Sequence, residues 1–120
     1  MKRETSYESW MRQEGIPIAE AYGLEDVREI PLKPWPRTGG KGAFIQLKGM
    51  EGFTGMYVGE IPPGGALNPE RHLYEELIYI LQGIGSTEVW SEQTGKQKVH
   101  FEWQAGSLFA VPLNLSLIHI

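Results

Sequence analysis

The sequence predicts an all-β domain, and three observations lead there. Gly 15 and Pro 8 among 120 residues punctuate the chain with many turns. The segments between those turns are short apolar runs, several of which alternate apolar and polar residues at the period of a strand. Only one stretch has helical spacing, and it is short. A hydrophobic share of 41% with 11% aromatics supplies enough apolar surface for a packed core. The length suits one domain better than two.

"TSYESWMRQEG" reads as the helix. Thr5 or Ser6 caps its start, Glu8 sits in the first turn, and Gly15 ends it. Tyr7, Trp10 and Met11 fall at i, i+3 and i+4, an apolar stripe for docking. "GIPIAEAYGLEDV" shows neither period and is expected to be irregular. "VREIPLKPWPRTGGKG" carries Pro31, Pro34 and Pro36, which remove backbone donors that a central strand needs. It is expected to be an extended arm, packed on a sheet edge or on a neighbouring subunit. "AFIQLKG" and "TGMYVGEI" then read as strands, and "PPGG" as a turn. "ELIYILQG" is apolar on both parities, so both of its faces are expected to be covered. "GSTEVW" follows, then "EQTGKQ" as a polar hairpin loop. "KVHFEW" alternates Val99, Phe101 and Trp103 against Lys98, His100 and Glu102, and "SLFAVPLN" is the last clear strand. Gly83 and Gly85 are expected at turns, supplying backbone angles that other residues avoid. There is no internal repeat.

A net charge of -4 argues against nonspecific nucleic-acid binding, which needs a basic surface. Cys 0 excludes disulfides and thiolate metal sites. "MKRETSYESW" lacks the apolar core of a signal peptide, and no apolar run approaches the roughly 20 residues of a membrane span. A cytoplasmic protein with neither a nucleic-acid nor a membrane partner is the expectation. "RTGGKG" is too short, and in the wrong context, for a phosphate loop.

The chemistry concentrates in "GGALNPERHLYEELIYILQG", residues 64–83. If residues 70–80 form one extended strand, Glu70, His72 and Glu76 share a face with Ile78 and Ile80. A buried imidazole between two carboxylates needs ion pairing, hydrogen bonds or a metal. Imidazole with carboxylate oxygens suits a divalent ion such as iron, manganese, zinc or nickel. A plainer reading stands beside each residue. Glu70 is a surface carboxylate paired with Arg71 or Lys41, and Glu76 is a buried hydrogen-bond acceptor. His100 is read as a strand-surface residue. Trp90, Trp103 and Tyr79 are read as core or interface residues.

These residues resemble the first motif of the cupin superfamily: a glycine, two histidines one residue apart, a glutamate and a final glycine. Here the spacing is Gly64, five residues, Glu70, one, His72, three, Glu76, six, Gly83. Glu70 stands where the family usually has its first metal histidine. "AGSLFAVPLN" resembles the start of the second cupin motif, with Gly106, five residues, then Pro112. Asn114 replaces that motif's next glycine, and Leu117 stands where the family expects a histidine. The resemblance covers residues 43–114. "RHLYEELIYILQGIGSTEVW" and "FEWQAGSLFAVPLN" look like the first halves of two-cupin proteins related to gentisate dioxygenase-like enzymes.

The resemblance implies a cupin-type jelly-roll barrel. It divides the chain into an N-terminal helix and arm at 1–42, a partial cupin domain at 43–114, and a tail at 115–120. "LSLIHI" resembles translated sequencing-adapter read-through, which makes the barrel incomplete at its C-terminus and the chain a fragment. The alternative is a genuine apolar strand that carries His119 to the site face. A jelly roll lacking its last strands leaves an open sheet edge and an uncovered apolar face.

Two functions follow from the resemblance. The first is a metal-binding cupin domain of a small-molecule oxygenase-like protein, with His72 and Glu76 as ligands and Glu70 as a replacement ligand. Glu70 makes that site harder and more anionic, favouring manganese or zinc over oxygen-activating iron. The second is a non-catalytic module that holds a small molecule without metal. Both take a small-molecule ligand or substrate, and the full-length form is expected to be a homodimer.

Overall fold

The computed structural model describes residues 5–51, 55–71, 76–91, 98–111 and 116–120. Among them the chain is mostly β with one short helix, as its composition implies. Its internal contacts separate two compact units, Met1–Glu60 and Ile61–Ile120.

The first unit opens with helix α1 (Ser6–Gln13). Thr5 is the cap, its Oγ1 accepting from the Glu8 N–H at 3.1 Å. Gly15 leaves the helix with φ +77°, a left-handed conformation that needs no Cβ penalty in glycine. Strands β1 (Ile18–Ala21), β2 (Lys33–Trp35), β3 (Gly40–Leu47) and β4 (Met56–Glu60) form one sheet. β3 is its spine, antiparallel to β2 and β4 and parallel to β1. β1 corrects the expectation that "GIPIAEAYGLEDV" is irregular. "IAEA" is too short to show a period, and its pairing comes from β3, some twenty-five positions away in sequence.

The proline-rich arm is partly ordered by pairing. A 3-10 turn at Val27–Glu29 is capped by Asp26, and Pro34 lies in β2 opposite Lys41. Met11, Ile16, Trp35 and Phe44 form the buried core here. Phe44 is fully buried, with the Trp10 and Trp35 rings each 5.2 Å from its ring centre. Gly42 is required by this packing, because a Cβ there would lie 2.5 Å from Cε3 of Trp35. The expected stripe on α1 is present: Met11 is buried, Trp10 packs on the core, and Tyr7 is half-exposed with its ring against Trp10 and Phe44.

The second unit holds β5 (Glu70–Arg71), β6 (Glu76–Tyr79), β7 (Ile84–Trp90), β8 (Lys98–Gln104), β9 (Leu108–Val111) and β10 (Ser116–His119). One sheet has the order β5-β10-β7-β8, and β6 pairs with β9 in a second. The described strands therefore form separate sheets rather than one closed barrel, an arrangement consistent with a jelly roll. β10 lies inside its sheet, with Leu117 opposite both Glu70 and Val89. Leu117 and Val111 are fully buried.

Two expectations for this unit are corrected. Among the described residues β6 is covered on one face only: Leu77 and Tyr79, on the other, are 74% and 60% exposed. Gly83 does turn the chain, with φ +90°. Gly85, however, lies inside β7, and it is required for space. A Cβ there would overlap the Trp103 ring and come within 2.5 Å of the Ile120 carbonyl oxygen. All of "EQTGKQ", along with Pro112 and Asn114, lies outside the described residues.

Candidate functional site

Residues opposite one another in an antiparallel pair project to the same face. That rule assembles the inner face of the larger sheet. Glu70 stands across from Leu117 on β10, and Leu117 and His119 stand across from Val89 and Thr87 on β7. Thr87 and Gly85 stand in turn across from Phe101 and Trp103 on β8. On the smaller sheet, Glu76 pairs with Val111 and Ile78 with Phe109, all four on one face. The Phe101 and Phe109 ring centres are 4.8 Å apart, so these two faces meet.

The space between them holds a hydrogen-bonded chain. The Trp103 indole N–H donates to Thr87 Oγ1 at 3.0 Å, and Thr87 Oγ1 is 2.8 Å from His119 Nδ1. Thr87 is fully buried and His119 is 8% exposed. An indole N–H can only donate, so Thr87 Oγ1 accepts there and keeps its own hydrogen for Nδ1, or accepts from Nδ1–H through its second lone pair. Either way Nδ1 is engaged, and the ring's orientation is fixed by β7. The peptide plane beyond is also held, because the His119 carbonyl accepts from the Leu67 N–H at 2.9 Å.

Of the three residues singled out by spacing, Glu70 and Glu76 are described, and His72 lies outside the described residues. Residues 72–75, between Glu70 and Glu76, lie outside the described residues. Glu70 belongs to β5, paired with β10, and Glu76 to β6, paired with β9, so they reach the interior from two different sheets. Oε2 of Glu76 is buried. Ile78 shares the Glu76 face, as alternation predicts. His100 is an outer-face residue, half-exposed and beside Glu88 and Glu102.

Carboxylates and an imidazole are suitable donors for a divalent metal. Among the described residues, however, no three His, Asp or Glu side chains converge as a set that would hold one. The described residues therefore do not by themselves fit a metal centre. What they provide is a buried imidazole held by a hydroxyl, together with one buried carboxylate oxygen, Oε2 of Glu76.

Thr87 and Trp103 were not legible as site residues. The available signal was weak: Thr87 is the one polar residue among the inward positions Gly85, Thr87 and Val89 of "GSTEVW".

A family model described as Cupin matches residues 47–120, more than half of the chain. The chain belongs to the cupin family. Neither a curated protein nor a solved structure gives a significant match. The cupin match runs through β10, so the strand that carries His119 lies within the matched region. It supports a cupin-type module for binding small ligands. No helix among the described residues is long and apolar enough to cross a membrane.

Proposed function

We propose that the cupin domain is a small-ligand-binding module whose interior polar contact is His119. The observation that carries this is the buried Trp103–Thr87–His119 chain, which fixes one imidazole in the interior. Preorganised polar groups in an apolar concavity are the usual means of orienting a small ligand. Glu70 and Glu76 face the same interior from β5 and β6. Carboxylates accept hydrogen bonds, so hydroxyl-bearing molecules fit this lining better than acids do.

The test is a titration of the full chain with a panel of sugars and hydroxy acids, followed by the NMR signal of the Trp103 indole N–H. The expected result is saturable movement by a hydroxylated member, lost in His119→Phe. If no member of the panel moves that signal, the reading fails.

A second reading is favoured by the spacing of Gly64, Glu70, His72, Glu76 and Gly83. In it, His72, Glu76 and Glu70 hold a divalent metal such as iron, manganese, zinc or nickel, and the protein is oxygenase-like. Metal content by mass spectrometry, on protein purified without chelator, separates the two. Stoichiometric metal that is lost in Glu76→Gln supports the second reading, and metal-free protein sinks it.

A further inference from the structure

The hydroxyl of Thr87 decides between the two proton arrangements that its geometry allows. Its oxygen carries one hydrogen and two lone pairs. The Trp103 indole N–H, which can only donate, takes one lone pair at 3.0 Å. His119 Nδ1, at 2.8 Å, is the other group that the Thr87 hydroxyl meets among the described residues. Thr87 has no exposed surface, so neither water nor a ligand reaches that hydroxyl.

A ring proton on Nδ1 would point into the second lone pair. The Thr87 hydrogen would then be buried without an acceptor, which is costly. With Nδ1 bare, the same hydrogen has its acceptor. The two bonds then run in one direction, from Trp103 to Thr87 to His119, and each polarises the other. A neutral imidazole that accepts at Nδ1 carries its proton on Nε2. The frame around this relay is fixed. Gly85 leaves the space in which the Trp103 ring lies, and Ile120, next to His119, exchanges both backbone hydrogen bonds with Ser86. Whatever group meets Nε2 must therefore accept. A metal ion would need the lone pair that the Nε2 proton occupies.

We infer that Trp103 and Thr87 hold His119 as a neutral imidazole protonated on Nε2, a fixed donor that selects a carbonyl oxygen on the ligand rather than a metal ion. The inference rests on the small-ligand reading above. Thr87 is a positioning residue in it, acting through His119 without touching the ligand.

The test is long-range proton–nitrogen NMR of the full chain with isotope-labelled histidine, the His119 signals being assigned by their loss in His119→Phe. The expected pattern is a bare Nδ1 and a protonated Nε2. Thr87→Ser keeps the hydroxyl and should keep that pattern. Thr87→Val, verified as folded by circular dichroism, should move the two nitrogen signals toward each other as the proton redistributes. Hydroxyacetone is then titrated against propane-1,2-diol, which has a hydroxyl in place of the carbonyl. Hydroxyacetone is expected to shift the Nε2 signal saturably and to bind about threefold or more tighter. A proton on Nδ1 in the unaltered protein, or signals unmoved by Thr87→Val, overturns the inference whether or not a ligand binds. Equal affinity for the two compounds overturns it as well. Binding of neither, with the proton on Nε2, sinks the small-ligand reading and upholds the proton assignment.

Discussion

Thr87 joins side chains from three strands within the cupin interior. Its one oxygen meets both the Trp103 indole and the His119 imidazole, and it has no exposed surface. Thr87→Val keeps the shape and removes that oxygen. The Trp103 N–H then loses its acceptor in a buried place, which costs about 1–3 kcal/mol. Urea unfolding should show that loss as a lower midpoint with an unchanged slope. An unchanged midpoint would mean that water or another group replaces the hydroxyl. None of this was visible in the linear sequence. A threonine in a strand is unremarkable until its cross-strand partners are known, and those partners lie on β8 and β10. The motif spacing, by contrast, did mark Glu70 and Glu76, which lie on β5 and β6.

At the scale of elements, α1 is tied to the arm by one carboxylate. Glu14, just past the helix, accepts from the Trp35 indole N–H at 3.0 Å and from Arg37 Nη2 at 3.0 Å. The Arg37 Nε also donates to it, and the same guanidinium lies over the Trp10 ring. Hydrogen bonding from Arg37, assisted by Trp35 and by the positive charge, holds the Glu14 pKa below the ordinary carboxylate range against the opposing effect of desolvation. A lowered folded-state pKa means that this stabilisation is present above the unfolded glutamate value of about 4.3 and is lost as pH falls through the folded value. The unfolding midpoint should therefore drop on acidification below about pH 4.3, and Glu14→Gln should flatten that part of the profile. A parallel profile for the variant would remove Glu14 from the account.

The helix itself was legible, because a cap, a three-four stripe and a terminal glycine are all local signals. β1 was not, since four residues show no period and their partner is β3. Nor was the change of partner strand between Glu70 and Glu76 legible. β5 and β6 take their partners from β10 and β9, and the local pattern does not encode that split.

Across the whole molecule, the β-rich class followed from turn density and alternation, and the cupin family from two spaced motifs. Coverage of surfaces did not follow. An apolar run reads the same whether both faces are packed or one is open, and in this chain Leu77, Tyr79 and Leu108 lie open at 74%, 60% and 60% exposure. Leu77 pairs with Ala110 and Tyr79 with Leu108, so the exposed residues form one contiguous patch on the β6-β9 sheet. Replacing Leu77 and Leu108 with serine should reduce concentration-dependent light scattering while changing unfolding stability by no more than about 0.5 kcal/mol per site. A large destabilisation instead would mean that these side chains are packed in the folded molecule.

The placement of β10 also has a consequence for the order in which the molecule is made. Synthesis runs from the N-terminus, so β5 and β7 leave the ribosome before the strand that lies between them. Until residues 116–119 emerge, each offers an unpaired backbone edge to any other extended chain nearby. Among the described strands, this sheet closes by drawing in β10, made after both strands it joins, a long-range step that is slow relative to local pairing. A chain whose residues have emerged as far as Val111 but not 116–119 would thus present β7 and β8 beside a strand-shaped gap, the form in which it is most open to chaperones and to its own neighbours on the same messenger.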